Sequence, residues 1–428
     1  MPARVETRGM TRWRLGVAAL ALYCLGLLSI GVRDDWRLMH EDNGALHTTL
    51  ALSHVTLGLA RTRAHDLFYE PRTGRSVVYG HHPPAMALLV AAAFSLSGSD
   101  APSVARSVAI AFHLGSLLLL AALLQRLFPP GASPLGVFLF ATLPMGAYFG
   151  RMVDYEPVCL FAALLQLSGF ATLCETAWRR GLGLLLFGVV LGALVDWPSF
   201  FFAGAITAVT AFHAWRGEAG AARAARAAAL TGAAAAAALL LDVAHLRWAN
   251  HGSLDRLREV LPGRTGVPIP DPMFLLGQLE NFRRYFTLAG LAASLLVAAA
   301  LALPGSPLSL RLFELPRAVP LRSLLWASGG ASAAYVLAAP FWAAKHAYWQ
   351  FYFLPFVVVS MLLAGRLLWQ ASGKRRGTLR ALALVLCLEC LAASAYMLHL
   401  RHTRVGGFAV METAKLRGQF LAPESKKR

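Results

Sequence analysis

Long apolar runs alternate with short connectors along almost the whole chain. An α-helix needs about 20 apolar residues to cross the hydrocarbon of a bilayer. Runs at 13–32, 104–124, 137–149, 157–178, 181–195, 199–214, 227–244, 286–303, 324–339, 348–368 and 382–398 approach that length. They predict an all-α polytopic membrane protein of about eleven transmembrane helices. Together they make one domain over 1–400, followed by a short basic tail at 401–428. Two polar intervals are long, a first loop at 33–103 and a second, Arg- and Pro-rich loop at 245–285. In the first loop, the stretch 44–60 sets Leu46, Leu50, Leu57 and Ala60 near helical spacing, with His47 and His54 between them. That pattern fits a helix lying at the membrane interface.

The apolar run at 85–96 decides the topology, because at about 12 residues it is short for a span. If it crosses, Asp154 and Glu156 fall inside, while Arg126 and the pair Arg179 and Arg180 fall outside. If it is re-entrant or interfacial, the basic connectors around Arg126, Arg179, Arg216, Arg311 and Lys374 share the side of the N-terminus. Asp42, Asp154, Glu156 and Asp196 then share the opposite face. Positive charge gathers on cytoplasmic connectors, which favours the second arrangement and a cytoplasmic N-terminus. Ala-, Arg- and Leu-rich usage fits a bacterial inner membrane.

Composition sharpens this picture. The chain of 428 residues is 57% hydrophobic and only 14% charged, which excludes a soluble globule. Its net charge of +18 sits largely in the short connectors, so it reads as a topology signal and not as a nucleic-acid surface. The five cysteines lie in apolar segments and offer no disulfide framework. There is no G-x-x-x-x-G-K-[ST], G-x-G-x-x-G or H-E-x-x-H signature.

The first loop instead holds unusual chemistry. It carries the acidic pair Glu41-Asp42 near its start and Tyr79-Gly80-His81-His82-Pro83-Pro84 at its end. The same face gains Asp154, Glu156 and Asp196, together with the cations Arg106, Arg264, Arg283, Arg284 and Lys345. Carboxylates beside cations at headgroup depth suit a phosphorylated lipid: the cations hold phosphate and a carboxylate takes a proton from an incoming hydroxyl. Adjacent histidines before two prolines lack metal-ligand spacing and read as a rigid turn. Lys345-His346 beside Phe341, Trp342, Tyr348 and Trp349 fits either an aromatic belt or a phosphate-binding helix entrance. Glu389 and His113 lie inside apolar runs, where an ionisable group is functional or is satisfied by a neighbouring helix.

The order of these features resembles the integral-membrane glycosyltransferases of the GT-C superfamily, in particular the protein mannosyltransferase and aminoarabinose transferase-like branch. It comprises Glu41-Asp42, Ala51 to Gly58, His82-Pro83-Pro84, Ala105-Arg106, Pro144, Arg151-x-x-Asp154, and His346-x-Tyr348 before Pro355. The resemblance implies inverting transfer of a sugar from a polyprenyl-phosphate donor to a hydroxyl of a lipid, glycan or protein acceptor at the periplasmic face. It implies no cofactor and no metal. By position, Asp42 would be the general base and Glu41 its neighbour, with Asp154 and Glu156 as a second acidic site. His82, Arg106, Arg151, Lys345, His346 and Tyr348 would bind substrate, with Arg106, Lys345 and His346 on the donor phosphate. The family usually reads Asp-Glu where this chain reads Glu41-Asp42, so either carboxylate is a candidate base. The competing reading is a lipid or solute transporter or flippase, motivated by Glu389, His113 and the Arg-rich second loop.

Overall fold

The computed structural model describes residues 2–36, 40–70, 75–80, 82–128, 132–175, 177–218, 220–255, 258, 272–314, 318–371 and 376–403. His81, Arg264, the middle of the second loop and the tail from 404 onwards lie outside the described residues. Every run predicted to span forms a helix. The first is α1 (Pro2–Ser29), followed in the loop by α2 (Asp42–Leu57), α3 (Leu59–Thr62) and α4 (Ala85–Ser97). Then come α5 (Pro102–Leu127), α6 (Ala132–Thr142), α7 (Pro144–Phe149), α8 (Tyr155–Glu175), α9 (Trp178–Ala193), α10 (Pro198–Trp215) and α11 (Ala221–Ala249). The C-terminal part holds α12 (Pro272–Ala302), α13 (Pro307–Leu312), α14 (Ala318–Ala338), α15 (Pro340–Lys345), a 3-10 turn (Ala347–Phe353), α16 (Leu354–Ala371) and α17 (Arg376–Thr403). Among the described residues, 6 helices are long and apolar enough to cross a membrane, and α1, α4 and α6 carry shorter apolar stretches. The first loop also contains a small antiparallel hairpin, Leu67–Glu70 with Leu67 opposite Val78 on Arg75–Val78, which hydrophobic pattern alone did not reveal.

Proline sets several boundaries. Pro102, Pro144, Pro198, Pro307 and Pro340 each open a helix, where the missing N–H is one that no helix could have used. Pro144 also splits the run at 137–149 into α6 and α7. Small residues bring α8 and α9 together: a Cβ on Gly169 would lie 2.4 Å from the Leu185 nitrogen, and one on Gly188 would lie 2.8 Å from the Ala162 oxygen. One apolar cluster runs through the bundle, with Phe140, Phe149, Phe170, Phe202 and Phe351 fully buried. Leu240, Leu241, Leu384 and Val385 face outwards on α11 and α17, as lipid-facing positions do.

The loop helices form the roof of the bundle. At 13 residues α4 is about 20 Å long, against roughly 30 Å of hydrocarbon. Its first N–H donates to the Leu194 carbonyl beyond α9, beside Asp196. After α4 the chain enters α5, whose Arg106 returns to Glu41 in the same roof. Both ends of α4 therefore stay at one end of the bundle, as the interfacial reading requires. At the other end Arg126 donates to Thr172 near the close of α8, at 2.8 Å. The stretch 44–60 departs from expectation: Gly44, Ala45, His47, Thr48, Thr49, Leu50, Ala51, Ser53 and His54 of α2 are buried. This helix packs into protein: His47 and His54 reach Asp154 and Asp66, while Thr49 and Ser53 bond carbonyls of the helix itself.

In a background without native cysteines, single cysteines at Asp100 and His251 should react with an impermeant maleimide from one side of the membrane. A cysteine at Arg180 should react only from the other. Labelling of Asp100 and Arg180 positions from the same side would contradict this topology.

Candidate active site

The two adjacent acids of the first loop meet different surroundings. Glu41 is buried, and its Oε1 accepts from Arg106 Nη2 at 2.8 Å and Arg151 Nη2 at 3.3 Å. Arg106 Nη1 also donates to the carbonyls of Val32 at 2.8 Å and Asp34 at 2.5 Å. Its guanidinium lies 4.2 Å from the centre of the Trp36 ring, and Trp36 presses on Gly44, where a Cβ would sit 2.2 Å from the ring. Arg151 donates to the Ile30 carbonyl. A third buried arginine, Arg401 of α17, donates to the Ala147 and Tyr148 carbonyls at 3.3 and 3.2 Å. These groups enclose a cavity of about 20 Å³. Burial, then repulsion from Arg106, pushes Arg151 down to about 10, which leaves it charged at neutral pH. Arg106 and Arg151 thus turn inwards to Glu41, and Arg106 is 1% exposed.

Asp42 faces the other way. It is the exposed first residue of α2, and no donor or cation bonds its carboxylate among the described residues. The helix N-terminus favours its negative charge. His40, held at φ 64 by the turn that aims the acids apart, feels the charges of both Asp42 and His346. Burial is the largest effect on His40 and lowers its pKa.

Asn43 joins α2 to the rest of the site. Its Nδ2 donates to Asp154 Oδ2 at 2.5 Å and to the Tyr348 hydroxyl at 3.1 Å. Asp154 Oδ1 also contacts His47 Nε2 at 3.1 Å and accepts from the Tyr155 backbone at 2.8 Å. Tyr348 reaches His346 Nδ1 at 2.9 Å, and His346 stacks on Trp342. Lys345 is exposed at the edge, with Nζ 3.9 Å from the Phe341 ring centre. Asn43 thereby links Asp154, Tyr348 and His346, Lys345 precedes His346 at the end of α15, and the charge of Asp42 bears on Tyr348 and His40.

Behind this cluster lies a second layer of histidine–carboxylate pairs. His82 Nδ1 meets Asp196 Oδ1 at 2.6 Å, and its ring stacks 4.3 Å from Tyr155. His54 Nε2 meets Asp66 Oδ1 at 3.1 Å while its Nδ1 meets Thr62 Oγ1 at 3.0 Å. Glu156 is buried, with no partner for Oε2 among the described residues. Burial raises Asp66. Burial, with the neighbouring His245, lowers His65 to about 4. Among the described residues no three His, Cys, Asp or Glu side chains converge as metal ligands. Sequence reasoning missed Asn43, His47 and Arg401 as members of the site. The spacing of His47 and His54 on one helical face was the available signal. Arg283 pairs with Glu280 at 2.7 Å on the surface, and His113 packs between Phe140 and Phe351.

An apolar groove of about 410 Å³ lies between α12, α14 and the start of α16. Phe282, Leu291, Leu295, Val336, Phe353 and Phe356 line it. One of its lining residues, Gln278, is tied to α15 by Nε2, which donates to the Ala343 carbonyl at 3.0 Å, and to the 3-10 turn by Gln350, which donates to Gln278 Oε1 at 2.8 Å.

No protein-family model and no curated protein matches the chain. Solved structures do. The archaeal oligosaccharyltransferase AglB from Archaeoglobus fulgidus, in complex with an inhibitory peptide and a dolichol-phosphate, superimposes with a TM-score of 0.65 at 14% identity. That match covers 97% of this chain and 58% of AglB. ArnT from Cupriavidus metallidurans bound to undecaprenyl phosphate gives 0.60 at 13% identity, over 86% of this chain and 63% of ArnT. The chain shares the fold of these two proteins. It spans less than two thirds of either neighbour.

Folded His65 stays neutral down to about pH 4, whereas an unfolded histidine protonates near 6.5. The unfolded state binds the proton first, so stability is complete above pH 6.5 and declines as pH falls towards 4. The melting temperature should drop more between pH 7 and pH 5 in the wild type than in His65→Gln; equal drops would rule this out. Gly44→Ala should cost about 1–3 kcal/mol in chemical unfolding, because Trp36 must leave its seat under Arg106. An unchanged midpoint would show that the ring can yield freely.

Proposed function

We propose that the protein transfers a sugar from a polyprenyl-monophosphate carrier to an acceptor hydroxyl on a lipid, glycan or protein, with Asp42 as general base. The observation that carries this reading is the exposed Asp42 carboxylate at the start of α2, which no donor or cation bonds among the described residues and whose charge bears on Tyr348, bonded in turn to Asn43 and His346. An apolar groove is tied to α15, the helix that ends at Lys345, through Gln278. A prenyl chain lying in the groove would bring its phosphate to Lys345, with His346 alongside. The lipid phosphates held by AglB and ArnT support a donor of this class.

The step needs one displacement. The acceptor hydroxyl gives its proton to Asp42, its oxygen bonds to the anomeric carbon, and the bond from that carbon to the phosphate oxygen breaks. The lipid phosphate leaves as an anion opposite Lys345. A single attack from the face opposite the leaving group inverts the anomeric centre. Asp154, fixed by Asn43 and His47, orients the acceptor, and Tyr348 hydrogen-bonds in the same cluster. Glu156 and His82 support this layer from behind Tyr155. Arg106 and Arg151 act at one remove from the donor by holding Glu41. The basic connectors at the opposite end of the bundle support a bacterial inner-membrane protein with its N-terminus in the cytoplasm and this site at the periplasmic face.

Turnover of a panel of radiolabelled polyprenyl-phosphate sugars tests the proposal. Asp42→Asn should lower kcat by roughly 10²–10⁴-fold while leaving carrier binding intact. Glu41→Gln should lower the yield of folded protein, because removing one side of a buried pair costs about 3–5 kcal/mol. A loss of less than about tenfold in Asp42→Asn would remove the carboxylate from the role of base.

A further inference from the structure

Glu389, in the middle of α17, takes no part in the transfer chemistry. Its partner lies in α12, which is broken: Thr287 has φ 67 and ψ 167 inside an otherwise continuous helix of 31 residues. A break strips the second half, 288–302, of partners for its first N–H groups, and hydrocarbon offers no water to replace them. Two side chains do so instead. Thr287 Oγ1 accepts from the Gly290 nitrogen at 3.3 Å, as a helix N-cap does. Glu389 Oε1 accepts from the Leu288 nitrogen at 3.1 Å, where a carboxylate also complements the helix dipole.

The break lies in the wall of the apolar groove. Phe274, Gln278 and Phe282 precede Thr287, while Leu291, Ser294 and Leu295 follow it, and all six line the groove. The angle between the two halves of α12 therefore sets the groove's width. Thr287 lies about 13 Å further along α12 than Gln278, the lining residue bonded to α15. The cap acts on the part of the groove farther from α15, its deep part for a lipid whose phosphate sits at the end of α15.

We infer that Glu389 is a positioning residue for the prenyl chain: its bond to Leu288 holds the halves of α12 at the angle that admits a long polyprenyl tail. This rests on the reading of the groove given under Proposed function. A bond serving only to dock α17 would affect every ligand alike. A bond that shapes the deep groove affects long chains and spares short ones.

The test is binding of undecaprenyl phosphate and of geranyl phosphate to the purified full chain in nanodiscs. Glu389→Leu should weaken undecaprenyl phosphate roughly tenfold and leave geranyl phosphate unchanged. Glu389→Gln keeps an oxygen acceptor and should bind both like the wild type. Leu288→Pro deletes the donor at a first helical position, where proline is tolerated. It should weaken undecaprenyl phosphate by a similar factor even if Glu389→Leu does not fold, and adding Glu389→Leu to it should change nothing further. Equal losses for both lipids, or additive losses in the double variant, would overturn the inference while leaving the groove reading intact. Equal binding of the two lipids by the wild type would overturn the groove reading, and this inference with it.

Discussion

Glu41 is a carboxylate taken out of water in the roof of a membrane protein, and it is tolerable there because Arg106 and Arg151 share its Oε1. Such a group costs several kcal/mol unless it is paired and hydrogen-bonded. The pairing recruits α5, the turn before α8 and the carbonyls of Ile30, Val32 and Asp34 into one knot. Arg401 ties the last helix to the same place through the end of α7. The start of α2 is thereby fixed, and with it the direction of the residue that follows Glu41. Asp42 is left exposed while Glu41 is buried.

This division resolves an ambiguity that chemistry alone leaves open. Two consecutive carboxylates at the N-terminus of a helix have similar intrinsic basicity, yet side chains at successive positions point about 100° apart. One holds the roof, and the other is exposed with no bonded partner among the described residues. Beneath them, Asn43 and His47 fix Asp154, while His82 and His54 fix Asp196 and Asp66. Asp154, Asp196 and Asp66 thereby each meet a histidine, while Glu156 lies buried among them. The apolar groove tied to α15 is the slot that the proposed reading gives to the prenyl chain, with its charged end at this polar roof.

Much of this was legible in the chain. The apolar runs gave the helices, because period and length suffice for membrane spans. The shortness of the run at 85–96 announced a helix, α4, whose two ends stay at one end of the bundle. Three things were not legible. The stretch 44–60 looked like a surface helix because leucines mark a face, but the buried face carries His47, Thr48, Thr49 and His54. Polar groups with partners bury as well as apolar ones, and partners 107 positions away cannot be read from a local window. Arg106 read as a phosphate ligand until its hydrogen bonds to Glu41 and two carbonyls were visible. Glu389 read as functional by default, and only the break at Thr287 showed what it bonds.

The most direct measurement is an experimental structure of the protein with undecaprenyl phosphate. The phosphate should lie within about 4 Å of Lys345 Nζ, with the chain in the α12–α16 groove, Glu41 still on Arg106 and Arg151, and Asp42 open to the phosphate side. A phosphate seated on Arg106 and Arg151, with Glu41 displaced and exposed, would contradict the assignment of the two acids and make Glu41 the candidate base.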